Sequence, residues 1–273
     1  MKRKNIVLAP NALLGIALIG TIALAGIIGF FWTPLDPSRI NILARLQSPG
    51  AGHLLGTDEY GRDVLSRLLA GANASMTISL VTVGFALLVG ITLGLISGYL
   101  RGVVDRLIMM VTDALLAFPG ILLALALLSI LGNNRYGIIL SLGLAYTPSV
   151  VRIVRGTVLG LREAEFVSAA RVMGHNEWAI LRRHILPNCL APLTVLATSM
   201  LGWVLISESA LSFLGLGVPP PEPTWGNMLA ASRSYLAQAP WLALLPGLCI
   251  SLALLGVNML GDALRDYLDP RMQ

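Results

Sequence analysis

Apolar residues along this chain fall into six long runs, at about residues 13–32, 76–99, 107–131, 138–159, 190–213 and 241–260. Each run is long enough for a helix to cross a bilayer, which takes about 20 residues. The pattern predicts an all-α, polytopic membrane protein with six transmembrane helices, organised as one transmembrane domain over residues 1–273. The first run follows a short basic head, Met1 to Asn5, and Ala23-Leu24-Ala25 offers a cleavage-like site. Hydrophobicity nevertheless continues to Trp32, past the roughly 7–15 residues of a signal-peptide core, which favours an uncleaved first helix.

Two stretches between the runs break the apolar pattern. Residues 33–75 form a polar, turn-rich segment that opens with Pro34, Asp36 and Pro37. Within it Val64, Leu65, Leu68 and Leu69 make a helical apolar stripe, with Arg62, Asp63, Ser66 and Arg67 on other faces, so an amphipathic helix lying along the membrane interface is expected before the second span. The other stretch, residues 163–188, carries six charged residues between two apolar runs. Phe166, Ala169, Ala170 and Met173 recur at i, i+3, i+4, i+7, predicting a short amphipathic helix that Gly174 stops. Asn176 is placed to cap a second helix, with Glu177 near its positive end. Trp178, Leu181 and Ile185 give that helix an apolar face, and Pro187 is expected to end it. Two short helices about a glycine make either a hairpin on the membrane surface or a knob that fills a partner's groove. A DNA-reading helix pair has similar spacing, but tethering between apolar spans argues against nucleic acid.

Composition narrows the class. Hydrophobic residues are 56% and charged residues 12% of the 273, with mean hydropathy +0.78; soluble domains carry about 25% charged residues. The net charge is +5, and Lys2 and Lys4 are the only lysines. A P-loop requires a lysine within Gly-x-x-x-x-Gly-Lys-Ser/Thr, and neither lysine has that setting, so any ATP that drives this chain binds another polypeptide. With the N-terminus in the cytoplasm, thirteen of the 19 basic residues fall on the cytoplasmic side and six outside, which predicts that both termini and the 163–188 knob are cytoplasmic. Cys189 and Cys249 lie at or within apolar spans and read as small buried hydrophobes.

Four segments together carry a specific resemblance. Ala169-Ala170, Gly174 and Leu186-Pro187 stand at the spacing of the EAA loop of ABC importer permeases, with Ser168 in place of its Glu and His184 in place of its Ile. His53–Ala72 contains Leu-Gly-Thr-Asp-x-x-Gly-Arg-Asp, which resembles the oligopeptide, dipeptide and nickel permeases, C-type dipeptide permeases in particular. Ser-Phe-Leu-Gly-Leu-Gly followed by prolines and Thr-Trp-Gly (residues 212–226), and Asn258 to Pro270, resemble the same subgroup. The resemblance implies an ATP-driven importer of dipeptides or oligopeptides, or alternatively of chelated nickel, in the inner membrane of a prokaryote. It implies a second homologous permease, two ATPase subunits that hold the ATP and Mg, and an extracytoplasmic substrate-binding protein. It further implies that Ala169, Ala170, Gly174, Trp178, Leu186 and Pro187 dock the ATPase, and that Arg62, Asp63, Pro219 and Trp225 lie at the binding-protein contact or outer gate.

Two carboxylates fall inside spans, where burying charge is costly and functional roles are common. Asp113 and Glu208 are therefore candidates for lining a substrate path, against the alternative of interhelical bonds. They sit toward opposite faces, which disfavours a membrane protease. No histidine cluster has metal-ligand spacing among His53, His175 and His184, and no cofactor is expected in this chain. Pro119 and Pro148 are expected to kink their helices. Gly90, Gly94 and Gly98 form small-xxx-small steps for close helix packing. An ion-gradient secondary transporter, the alternative of another class, would call for paired intramembrane charges and internal repeats; neither is evident, and it has no need of a docking knob.

Overall fold

A computed structural model describes residues 10–268. Lys2, Arg3, Lys4, Arg271 and the last residues of the Asn258–Pro270 motif lie outside the described residues. The elements are α1 (Pro10–Phe31), α2 (Val64–Leu100), α3 (Gly102–Leu116), α4 (Gly120–Leu131), α5 (Arg135–Arg162), α6 (Glu165–Val172), α7 (Glu177–Ile180), α8 (Leu186–Phe213), α9 (Trp225–Ala231) and α10 (Trp241–Leu268). Among the described residues five helices are long and apolar enough to cross a membrane, and α3 with α4, bent by 98° at their junction, make a sixth if counted as one span.

Three expectations about these spans are corrected. The interfacial helix and the second span are one continuous helix, α2, of 37 residues. At 1.5 Å per residue it is about 55 Å long and overshoots a hydrocarbon core of about 30 Å. Its amphipathic first turns meet the apolar run in phase, with no breaker between them. The third span is not one helix: the chain breaks at Ala117–Pro119, where Pro119 disfavours helical geometry at Phe118. Pro187 does not end a helix, since residues 177–213 run on as one apolar helix. The missing Pro187 N–H is accommodated by a π-type turn over Leu181–Ile185, in which the Leu186 N–H reaches back to the Leu181 carbonyl.

The helices pack in two apolar clusters. One is built around the α2–α5 contact and includes Ile78, Ile138, Leu142, Val150, Val154 and Val158, continuing to Val167, Ala170, Ile180 and Ile185 of the knob. The glycine seam forms as its spacing predicts. A Cβ on Gly90 would stand 2.5 Å from Val150 Cβ, one on Gly94 2.6 Å from Val154 Cβ, and one on Gly98 2.8 Å from Val158 Cβ. The second cluster joins α1, α2, α8 and α10 to α9 through Ile22, Val64, Leu68, Leu205, Trp225, Met228 and Ile250.

Candidate functional site

Three regions hold the functional candidates: the knob after α5, the polar segments at the opposite end of the bundle, and the charged groups within the spans.

The knob is built by its caps. The chain leaves α6 through Gly174 at φ +81°, a left-handed residue that only glycine adopts without strain. The His175 N–H bonds to the Ala170 carbonyl at 3.1 Å, closing the end of α6. Asn176 caps α7 by accepting from the Ala179 N–H at 2.7 Å, and Glu177 stands in the first turn. The apolar residues of the knob divide between two sides. Val167, Ala170, Ile180 and Ile185 are buried against the bundle, whereas Phe166, Ala169, Met173 and Trp178 point away. Val172 is 89%, Met173 70% and Trp178 70% exposed. Gly174 and Pro187 are exposed beside them and Leu186 is half-buried. Val172, Met173 and Trp178 thus stand exposed in a segment with eight ionisable side chains.

At the opposite end, residues 42–63 fold onto the start of α2. Asp63 caps α2, accepting from the Ser66 N–H at 2.9 Å and the Ser66 hydroxyl at 2.7 Å, and its other oxygen meets His53 Nδ1 at 2.9 Å. Burial raises the Asp63 pKa, but the hydrogen bonds of His53 and Ser66 and the His53 charge outweigh it, and the carboxyl titrates below its ordinary value. Arg62 donates to Asp58 at 2.6 Å and stacks over Tyr60, and Arg67 also reaches Asp58 at 3.4 Å. Arg62 and Asp63 are thus interior residues that hold the segment's shape. Trp225 does not sit at an interface either: it is 2% exposed, its ring N–H donating to the Leu68 carbonyl at 3.1 Å and its backbone N–H to Ser75 Oγ at 3.1 Å. It opens α9, a short helix within the Gly- and Pro-rich loop that follows α8. Pro219 is exposed on the same loop.

The two intramembrane carboxylates are treated in opposite ways. Glu208 of α8 is 1% exposed, and its Oε1 accepts from Thr224 at 2.8 Å and Ser212 at 3.0 Å. Thr224 is also the N-cap of α9, in a capping box with Asn227. Glu208 therefore fastens the 214–240 loop to α8 from inside the protein and does not face a path. Asp113 is open: its carboxylate accepts from Arg152 of α5 at 2.7 Å, with the two side chains 57% and 58% exposed. Three residues on, Arg155 holds Asp105 in a two-pronged pair at 2.6 and 2.7 Å, and Ser97 donates to the same carboxylate. Sequence reasoning flagged Asp113 but not Arg152, because the two residues are 39 positions apart and only the antiparallel packing of α3 on α5 joins them.

Known proteins identify the scaffold. A solved structure of the MetNI methionine ABC transporter in an inward-facing conformation has the same fold, with a TM-score of 0.61 at 16% identity, covering 74% of this chain and 96% of that one. A putative peptide transport system permease protein of Brucella suis is 42% identical over 260 residues, 95% of this chain and 88% of its own length. The dipeptide transport system permease protein DppC of Alkalihalophilus pseudofirmus is 43% identical over 262 residues, 96% and 86% respectively. The glutathione transport system permease protein GsiD of Pectobacterium atrosepticum is 42% identical over 238 residues, 87% and 77%. Residues 90–273 match the family of binding-protein-dependent transport system inner membrane components, and with relatives of this identity along nearly its whole length the chain belongs to that family of ABC importer permeases.

Proposed function

We propose that this chain translocates dipeptides or oligopeptides across the cytoplasmic membrane as one of two homologous permease subunits, powered by two separate ATPase subunits that hold ATP and Mg and supplied by an extracytoplasmic binding protein. The observation that carries the proposal is the apolar crest of the knob. Val172, Met173 and Trp178 surround Gly174 on a rigidly capped hairpin whose other face is tied into the bundle core. A surface built so, on the side where the basic residues cluster, fits the groove of a cytoplasmic ATPase. Ala169, Gly174, Trp178 and Pro187 form the exposed contact, and Ala170 and Leu186 seat it against the bundle. Because Val167 and Ile180 join the knob to the α2–α5 core, rigid-body motion of the ATPases is transmitted to the spans, alternating outward and inward access. Both termini lie in the cytoplasm in this reading. At the outer face, Arg62, Asp63 and Trp225 shape the surface from beneath and Pro219 meets the binding protein or forms part of the outer gate. Peptides are favoured over nickel chelates because the relatives are named for peptides, dipeptides and glutathione.

The test is purification of the tagged complex in mild detergent. Wild type should carry two P-loop ATPases and a second permease. Trp178→Ala removes a side chain that is 70% exposed, so the chain's own stability should change by less than about 0.5 kcal/mol. Docking should weaken by about 2 kcal/mol or more, as for a buried aromatic anchor. Gly174→Asp should dissociate the ATPases or uncouple hydrolysis from transport. Full ATPase recovery and transport in both variants would refute the docking role, and recovery of the wild-type chain alone would refute the importer reading.

A further inference from the structure

The exposed pair Asp113–Arg152 joins two apolar, membrane-crossing segments, where exposure of charge to lipid is costly. Arg152 is about 25 Å along α5 from Arg135 and about 15 Å from Arg162, and Asp113 is about 16 Å along α3 from Gly102. Both fall inside apolar runs, Arg152 in 138–159 and Asp113 in 107–131, and an unshielded ion pair in a membrane-crossing segment costs several kcal/mol and is found facing water-filled cavities or the bundle interior. The lipid-facing character seen elsewhere is different: the exposed large side chains of α1 are Leu13, Leu14, Ile16, Leu24, Ile27 and others equally apolar.

The rest of that face of α5 is mixed, small and polar residues standing beside Ile153, which is 36% exposed. At 100° per residue, Arg152, Gly156, Ser149 and Tyr146 fall within an arc of about 120° on the side opposite Val150, Val154 and Val158, which are packed on α2. Gly156 has nothing within 4 Å of a built Cβ, so the face is open beneath the pair. About 9 Å toward the outer end, Tyr146 stacks on Trp203 of α8 with ring centroids 6.3 Å apart and its hydroxyl 2.8 Å from Ser207 Oγ. Trp203 remains 46% exposed. One wall thus presents an aromatic platform above and two opposite charges below.

We infer that this wall is a mid-membrane subsite for a zwitterionic peptide, Arg152 taking the terminal carboxylate and Asp113 the terminal ammonium, with Tyr146 and Trp203 stacking against the peptide between entry and release. The inference rests on the peptide-importer reading of the chain. The Arg152–Asp113 pair is satisfied when the path is empty and exchanges partners with the substrate's own ends, so no charge is left bare at any stage. A zwitterion complements both members, while a peptide capped at both ends leaves them paired and gains nothing.

The experiment places a cysteine at Ser149, between platform and pair, in the full importer in membrane vesicles, with assembly checked by ATPase co-purification. A charged methanethiosulfonate reagent is applied, and modification at position 149 is read by mass spectrometry of this chain. Ser149→Cys should react, whereas Leu24→Cys on α1 should not. Alanyl-alanine above its Kd should slow the reaction about threefold or more by mass action, and N-acetyl-alanyl-alanine amide should not. Adding Arg152→Gln should preserve the reaction and abolish the protection. Reaction that alanyl-alanine does not slow, or that both peptides slow equally, overturns the subsite while leaving the importer reading standing. No reaction in an assembled complex shows the face covered by lipid or by the second permease and also overturns the subsite.

Discussion

The glycine seam between α2 and α5 gives the sharpest quantitative prediction. Gly94→Ala would put a methyl 2.6 Å from Val154 Cβ and 2.9 Å from the Val151 carbonyl oxygen. Carbon atoms rest at about 3.5–4.0 Å, so the helices must part by about 1 Å locally. The neighbours are a β-branched Cβ and backbone rather than the tip of a flexible chain, and they cannot swing aside. Overpacking of this kind costs about 1–3 kcal/mol, against which Ala's helix propensity returns at most about 1 kcal/mol. Gly84 on the same helix is the control: it is exposed, with nothing within 4 Å of a built Cβ. Gly84→Ala should be neutral or slightly stabilising. Reversible denaturation of the detergent-solubilised chain, followed by circular dichroism, compares the two. Gly94→Ala should be less stable than Gly84→Ala by roughly 1–3 kcal/mol. Equal stability of the two single variants would mean that α2 and α5 separate without cost, and would refute the seam as the axis of the bundle.

Other consequences concern the outer end. Thr224→Ala removes the α9 cap and a donor to Glu208, so it should cost about 1 kcal/mol for the cap alone and more for the carboxylate left short of a partner. Faster proteolysis within 214–240 than in wild type would register it, and an unchanged cleavage rate would argue against the fastening. Asp63 has a folded pKa below its ordinary 3.8, so its contribution is present above that pH and disappears as the pH falls through the folded value. The stability difference between wild type and Asp63→Asn, measured by hydrogen exchange of residues 50–66, should be constant just above pH 4 and shrink below it; a difference unchanged down to pH 2 would count against the His53–Asp63–Ser66 arrangement.

How much of this was legible beforehand varied with the range of the interaction. The caps of the knob were readable at Gly174 and Asn176 because a left-handed stop and an Asx cap act within a few residues. The seam was readable because small-xxx-small spacing is itself the contact pattern. The apolar stripe of α6 divides, Ala170 turned into the bundle and Phe166, Ala169 and Met173 left exposed, since a period of 3.6 locates an apolar face without saying whether the same chain or another covers it. The fusion of the interfacial helix with the second span was hidden for a related reason: periodicity marks what a helix faces, not where it stops when no breaker intervenes.

By itself, then, the sequence determined the class of solvent, the positions of the apolar runs and the capped hairpin between two of them, because hydrophobicity, spacing and capping are local properties. Only the tertiary structure decided what each charge does. Glu208 is locked inward by Thr224, delivered by a loop 16 residues on, and Asp113 is left open beside Arg152, delivered by the packing of α3 on α5. Two carboxylates in apolar runs look alike along the chain; the partners that packing brings to each make one a fastener and the other a wall of the proposed path.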